Sequence, residues 1–253
     1  MSKVKQSFSW WCFENRGIEP LTLLREAKNI GYQGVDLIPT EYWDAAINVG
    51  LAIVNVAGHR PLEKGFNKTE NHDYLEKEVL MQLELAAKYR VPYLTVFSGN
   101  REGINDNFGL ANTVNGIKRV IHQAEKLGVT LVLELLNSKI DHPDHQCDRT
   151  LWGVAVCELV NSPNLKLLYD IYHMQIMEGD VIRTIQTNLK HIAHLHTAGV
   201  PGRNDIDETQ ELNYAGIVKA VTDFGYTGYI GHEFLPKAEP LAALRAAFQL
   251  CDI

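Results

Sequence analysis

Short apolar runs alternate with longer segments of helical spacing along the whole chain. Runs of β-branched, aliphatic and aromatic residues are typical of buried strands, whereas apolar positions at i, i+3 and i+4 indicate helices that bury one face. The pattern predicts strands over Lys5–Phe13, Gly34–Ile38, Ala52–Ala57, Tyr93–Phe97, Thr130–Leu136, Leu165–Tyr172, Ile192–Thr197 and Gly228–Phe234.

A helix is predicted after each of these strands. The predicted helices cover Leu21–Ile30, Tyr42–Val49, Tyr74–Tyr89, Leu110–Leu127, Leu151–Val160, Val181–Leu189, Tyr214–Phe224 and Leu241–Leu250. Strict alternation of strands and helices favours a parallel sheet. This number of repeats is typical of a closed (β/α)8 TIM barrel, and we expect a single domain over residues 1–253. No GxGxxG follows the first strand, so a dinucleotide-binding fold is not indicated.

Composition narrows the classes of partner. The formal net charge is −7, and nucleic-acid binders usually need a basic face, so no nucleic-acid partner is expected. The four cysteines are scattered and form no CxxC pair, which argues against a disulfide framework or a zinc knuckle. No apolar run approaches the length of a signal sequence or a membrane span. We therefore expect a cytoplasmic protein with no membrane partner.

Ionisable residues interrupt the last four apolar strands. They are Glu134 in LVLELLN, Asp170 in LLYDIYH, His196 in AHLHTAG and Glu233 in IGHEFLP. Burying an isolated charge costs several kcal/mol, so any one of them could instead belong to a salt bridge, but four on consecutive strands favour a shared cation. Three carboxylates and one imidazole suit one divalent ion such as Mn²⁺, Mg²⁺ or Co²⁺, with Zn²⁺ possible.

Further residues are candidates for binding substrate. His173 follows Asp170, and Arg203 lies in the loop after His196; both can hold substrate oxygens or a developing enolate, although a helix-capping His and a surface Arg are the alternatives. Trp11 and His59 stand near the ends of the first and third strands and are predicted to line the pocket, with core packing as the alternative. Side chains alternate along a strand, so Trp11 is not expected to face inward together with Trp10.

At these residues the sequence resembles the hydroxypyruvate isomerase group of the xylose-isomerase-like barrels, which includes ketose 3-epimerases of the D-tagatose 3-epimerase type. The resemblance is carried by LELLN, YDIYHMQ, HIAHLHTAGVPGRND, ELNY and GYIGHEF. It implies one divalent metal on Glu134, Asp170, His196 and Glu233. It also implies that Glu134 and Glu233 form the acid/base pair, that His173 and Arg203 contact substrate, and that a homo-oligomer is possible. The position of His196 is often Gln in hydroxypyruvate isomerases, whereas the epimerases have His.

The expected reaction is proton transfer next to a carbonyl through an enediolate. The expected substrate is a small sugar or hydroxy-keto acid, foremost hydroxypyruvate, which would give tartronate semialdehyde. A ketose 3-epimerase is the first alternative. A polyol dehydratase or lyase, a non-catalytic binding barrel and an apurinic endonuclease-like nuclease with three metals remain as other classes.

Overall fold

The computed structural model describes residues 4–253. Within them, parallel strands form one closed barrel in chain order, so the predicted (β/α)8 fold is confirmed. The strands are β1 Lys5–Ser9, β2 Gly34–Asp36, β3 Ala52–Ala57, β4 Tyr93–Val96, β5 Thr130–Glu134, β6 Leu165–Asp170, β7 Ile192–Thr197 and β8 Tyr229–His232.

Helices fill the connections between the strands. They are α1 Pro20–Ile30, α2 Trp43–Asn48, α3 His72–Tyr89, α4 Asp106–Lys118, α5 Ile121–Leu127, α6 Thr150–Val160, α7 Ile171–Met177, α8 Val181–Asn188, α9 Tyr214–Asp223 and α10 Pro240–Cys251. In the part of the chain that the structure describes, none of these helices is both long and apolar enough to cross a membrane.

The prediction of one helix over Leu110–Leu127 was wrong, because α4 and α5 divide that segment. The backbone N–H groups of Arg119 and Val120 donate to carbonyls three residues back, 3.1 and 3.0 Å away, which tightens the chain and ends α4.

Several predicted strands were too long at their carboxyl ends. The first one stops at Ser9, because Trp10–Cys12 form a 3₁₀ turn in which the Trp10 carbonyl accepts from Phe13 and Glu14. Strand alternation therefore does not govern this segment: Trp10 and Phe13 are both buried, while Trp11 is 36% exposed. Elsewhere, buried apolar residues follow directly after the last residue of a strand. Leu135, for example, lies in the loop after β5, so the hydrophobic run is longer than the strand itself.

The chain divides into two compact units. The first runs to Val54 and also contains Asp180–Leu189 and His194–Ile253; the second comprises Asn55–Gly179 and Lys190–Ala193. Each unit has buried apolar side chains of its own, such as Phe8, Leu24 and Ile230 in the first and Leu94, Leu133 and Leu167 in the second. The single domain over residues 1–253 stays a prediction.

Shortening a strand side chain in the core should cost more than shortening an exposed helix residue. Leu133 in β5 is fully buried, whereas Leu159 in α6 is 53% exposed. We expect Leu133→Ala to lower the free energy of unfolding by about 2–5 kcal/mol, and Leu159→Ala to change it by about 0.5 kcal/mol or less. Urea denaturation followed by circular dichroism measures both. Equal losses in the two variants would contradict this assignment of the core.

Candidate metal centre

Four buried residues stand at the carboxyl ends of the last four strands. Glu134 ends β5, Asp170 ends β6, His196 lies in β7 and Glu233 directly follows β8. None of them is more than 6% exposed. In the second unit, ligand atoms of Glu134 and Asp170 lie within 4.8 Å of each other, and in the first unit the same holds for His196 and Glu233. Within each unit the structure thus brings together two of the residues that the sequence singled out, and buried carboxylate and imidazole groups of this kind could hold a metal ion.

In the first unit, three side chains converge on the Glu233 carboxylate. The Trp11 indole N–H donates to Oε1 over 2.8 Å, and Arg203 Nη2 donates to Oε2 over 2.9 Å. His196 Nδ1 lies 3.1 Å from the same Oε2. The Arg203 guanidinium also stacks on the Trp11 ring, 5.2 Å from its centroid. Burial alone raises the pKa of Glu233. The charges of His196 and Arg203 and the hydrogen bonds from His196 and Trp11 lower it by more, so the pKa of Glu233 lies well below the usual range.

A second polar layer lies beside His196 in the same unit. His194 shares the inward face of β7 with His196, since the two are separated by one residue, and its Nε2 lies 3.1 Å from Asp36 Oδ1. Asp36 Oδ2 accepts from Ser7 Oγ over 2.5 Å. The pairing of β7 with β8 sets His196 opposite Gly231, where an added Cβ would lie 2.6 Å from Asp36 Oδ2 and 2.8 Å from His196 Cδ2. Glycine at 231 therefore lets these groups approach.

The sequence analysis did not single out Asp36 and His194. Their ligand atoms and that of His196 also lie within 4.8 Å of one another. The signal was present, because Asp36 stands in the apolar run GVDLI and His194 in IAHLHT. The criterion that found the four candidate ligands, an ionisable residue within an apolar strand, finds these two as well.

In the second unit, Asp170 joins a strand directly to a helix. Its Oδ1 accepts from the backbone N–H groups of Tyr172 and His173, over 2.8 and 3.2 Å, which caps α7. The predicted strand Leu165–Tyr172 therefore ends at Asp170. His173 lies in α7, fully buried, with Nε2 3.7 Å from Asp170 Oδ2. The cap fixes the Asp170 side chain and places His173 beside it.

His59 packs between aromatic rings near the end of β3. Its ring centroid lies 5.6 Å from the ring centroids of Phe66 and Phe97, and both contacts are edge to face. The backbone N–H of Phe97 donates to Nε2 over 3.0 Å, so the ring proton resides on Nδ1. Burial lowers the pKa of His59 to about 4, so the ring is neutral near pH 7.

Comparisons with known proteins agree with this architecture. A family model described as a xylose isomerase-like TIM barrel matches residues 24–251. The crystal structure of an AP endonuclease, family 2, from Brucella melitensis superposes with a TM-score of 0.83 over 98% of each chain, at 24% sequence identity. At that identity the likeness shows the fold alone.

Two relatives carry names of isomerases. A 2-oxo-tetronate isomerase from Cupriavidus necator is 39% identical over 117 residues, which is 46% of this chain and 44% of that protein. A hydroxypyruvate isomerase from Escherichia coli is 32% identical over 135 residues, which is 53% of this chain and 52% of that protein. The chain thus matches about half the length of these relatives.

Buried neutral histidines should make stability depend on pH above the range in which carboxylates titrate. Burial, with positive charge on His142 and Arg101, lowers the pKa of His145 from 6.5 to about 3. Below pH 6.5 the unfolded chain therefore binds a proton that the folded chain does not, and the free energy of unfolding falls as pH falls. Urea denaturation from pH 7 to pH 5 gives the slope of the free energy of unfolding against pH. We expect His145→Asn to reduce this slope near pH 5 by the amount that corresponds to about one bound proton.

The matched control for this measurement is His122→Gln, because the His122 side chain is 91% exposed. It should leave the slope as it is in the unaltered protein. A slope that is the same in all three proteins would show that His145 is not buried as a neutral ring.

Proposed function

The chain belongs to the xylose isomerase-like TIM barrel family, and we propose that it is a metal-dependent isomerase that moves a proton next to a carbonyl group. The proposed substrate is a small hydroxy-keto acid, foremost hydroxypyruvate. The observation that carries the proposal is the pairing of buried ligands at the strand ends, Glu134 with Asp170 in one unit and His196 with Glu233 in the other, with ligand atoms within 4.8 Å of each other in each pair. Support for the reaction comes from the relatives named hydroxypyruvate isomerase and 2-oxo-tetronate isomerase.

Glu134, Asp170, His196 and Glu233 would hold the ion. The donor set of hard carboxylate oxygens with one imidazole fits Mn²⁺, Mg²⁺ or Co²⁺, and Zn²⁺ is possible. When bound, a divalent ion polarises the substrate carbonyl and makes the neighbouring C–H more acidic. Its positive charge would also offset the repulsion among three buried carboxylates.

Glu134 and Glu233 are the proposed acid/base pair. Glu233 can act as the base because it is a carboxylate whose direction is fixed by its three neighbours, Trp11, His196 and Arg203. Removal of the proton beside the carbonyl leaves an enediolate. A proton then passes from the substrate hydroxyl to the former carbonyl oxygen, and return of a proton to the adjacent carbon by the other glutamate completes the isomerisation.

The remaining candidates would bind and orient the substrate. Arg203 is held by Glu233 and Trp11, so its guanidinium is preorganised to face a substrate carboxylate or a developing oxyanion. His59 offers a neutral Nδ1–H donor. His173 would donate to a substrate oxygen, and Trp11 would line the pocket next to Glu233.

A ketose 3-epimerase is the second candidate, and His196 favours it. His, rather than Gln, at this ligand position is the feature of the sequence that resembles the epimerases. The two reactions share the first proton removal and differ in the carbon and face to which the proton returns. The identity of the product therefore decides between them.

Removing either glutamate should abolish proton transfer. We expect Glu134→Gln and Glu233→Gln each to lower kcat by about 10²–10⁴-fold, because each loses a positioned acid or base. The measurement is NMR in D₂O, which follows deuterium entering the carbon next to the carbonyl. The substrates are hydroxypyruvate, tetronates, ketopentoses and ketohexoses, each tested with Mn²⁺ added and again after its removal. Glu70→Gln, at an exposed position, is the control and should exchange at the unaltered rate. Near-normal exchange in either active-site variant would remove that glutamate from the pair.

The metal should bind with a stoichiometry of about one per chain. We expect equilibrium dialysis with Mn²⁺ to give this value, and Gly231→Ala to weaken binding by about 10–100-fold, because an added Cβ crowds both Asp36 and His196. Gly216→Ala in α9 is the control glycine, since the three atoms nearest to its Cβ, at 3.0 Å and beyond, all belong to the Asn213 side chain that caps α9. Three ions per chain would instead support the endonuclease-like alternative, and no binding would refute the proposed metal centre.

A further inference from the structure

Asn137, three residues after the end of β5, uses every hydrogen-bonding position of its side-chain amide. Its Oδ1 accepts from the backbone N–H groups of Ile140 and Asp141, over 3.0 and 2.9 Å. Its Nδ2 lies 2.5 Å from Asp141 Oδ2 and 2.6 Å from His173 Nδ1. An amide has two acceptor positions and two N–H groups, so this environment fixes which end is nitrogen.

The amide in turn fixes the proton of His173. Because Asn137 Nδ2 is a donor, His173 Nδ1 must be the acceptor and carry the lone pair. A neutral imidazole then holds its one proton on Nε2. That nitrogen lies on the side of Asp170, 3.7 Å from Oδ2, and the whole ring is buried. The fixed tautomer therefore directs an N–H group toward the side of Asp170, one of the candidate ligands.

We propose that Asn137 is a positioning residue that locks His173 as the Nε2–H tautomer, so that His173 donates to a substrate oxygen as negative charge develops on it. The catalytic part of this inference rests on the proposed isomerase function, whereas the tautomer rests on the hydrogen bonds alone. A preorganised neutral donor stabilises an oxyanion without reorienting during the reaction. The opposite tautomer would turn a lone pair toward that oxygen and repel it.

Asp141 is the second anchor of this arrangement. Its Oδ2 accepts from Asn137 and, over 2.9 Å, from the Tyr172 hydroxyl, so the loop after β5 is tied to α7 at Tyr172 as well as at His173. Asn137 and Asp141 can also be exchanged for each other in one double variant. Swapping the amide and the carboxylate preserves a hydrogen bond between the two positions but replaces the donor at His173 Nδ1 with an acceptor.

The test compares the double variant Asn137→Asp, Asp141→Asn with the single control Asp141→Asn. In the double variant the carboxylate at position 137 still accepts from the Ile140 and 141 backbone N–H groups, so the loop is retained. The tautomer is measured by long-range ¹H–¹⁵N correlation NMR of metal-free protein labelled at histidine, with His173 assigned from the signal that His173→Gln loses. Turnover is measured on the Mn²⁺-loaded proteins.

We expect the proton on Nε2 in the unaltered protein and the control, and a protonated Nδ1 in the double variant. We also expect kcat to fall about 100-fold in the double variant with little change in KM, because the donor acts on the transition state. A protonated Nδ1 in the unaltered protein, or an unchanged tautomer in the double variant, would overturn the proposal. An equal loss of kcat in the control would overturn it too, since the role would then be structural.

The NMR result is independent of the reaction. An Nε2–H tautomer that moves as expected, in a protein that turns over no hydroxy-keto acid or ketose, would support the role of Asn137 in fixing His173 and would count against the proposed isomerase function.

Discussion

Burial of ionisable side chains in pairs is the constraint on which the strand ends of both units depend. In the second unit, Glu134 and Asp170 are buried with ligand atoms no more than 4.8 Å apart. Like charges at such distances interact strongly where water is scarce. In the first unit, Arg203 and His196 compensate the buried Glu233. A cation held by Glu134 and Asp170 would offset their repulsion, which is the physical basis of the proposed metal centre.

The backbone restrains these side chains by local means. Asp170 is the last residue of a strand and the cap of a helix, so one oxygen is fixed by backbone N–H groups. His196 faces a glycine across the strand pairing, which leaves space for its ring beside Asp36. Glu233 is reached by Trp11 because the chain turns after Ser9 instead of continuing as a strand. Each position follows from a short-range feature rather than from the barrel as a whole.

The sequence contains most of the fold and the four candidate ligands, because both leave a local signal. A Glu or Asp within an apolar strand, such as Glu134 in LVLELLN, is conspicuous against its neighbours. Strand ends are less visible: Leu135 is as apolar and buried as a strand residue, yet it lies in a loop. Asn137 was missed for a different reason. Its partner His173 is 36 residues away, and an asparagine after a strand is an ordinary loop residue until the contact is seen.

The arrangement around Trp11 gives the protein an optical reporter of its own. The indole donates to Glu233 and lies under the Arg203 guanidinium, between a negative and a positive charge. The excited state of indole has a larger dipole than the ground state, so the colour of its emission responds to the local electric field. Trp11 is 36% exposed, whereas Trp10 and Trp43 are 1% and 2% exposed, so a dissolved quencher reaches Trp11 much more readily than either of them. A ligand that changes the charges beside Trp11 thus changes the part of the fluorescence that Trp11 emits, next to the contributions of Trp10, Trp43 and the half-buried Trp152.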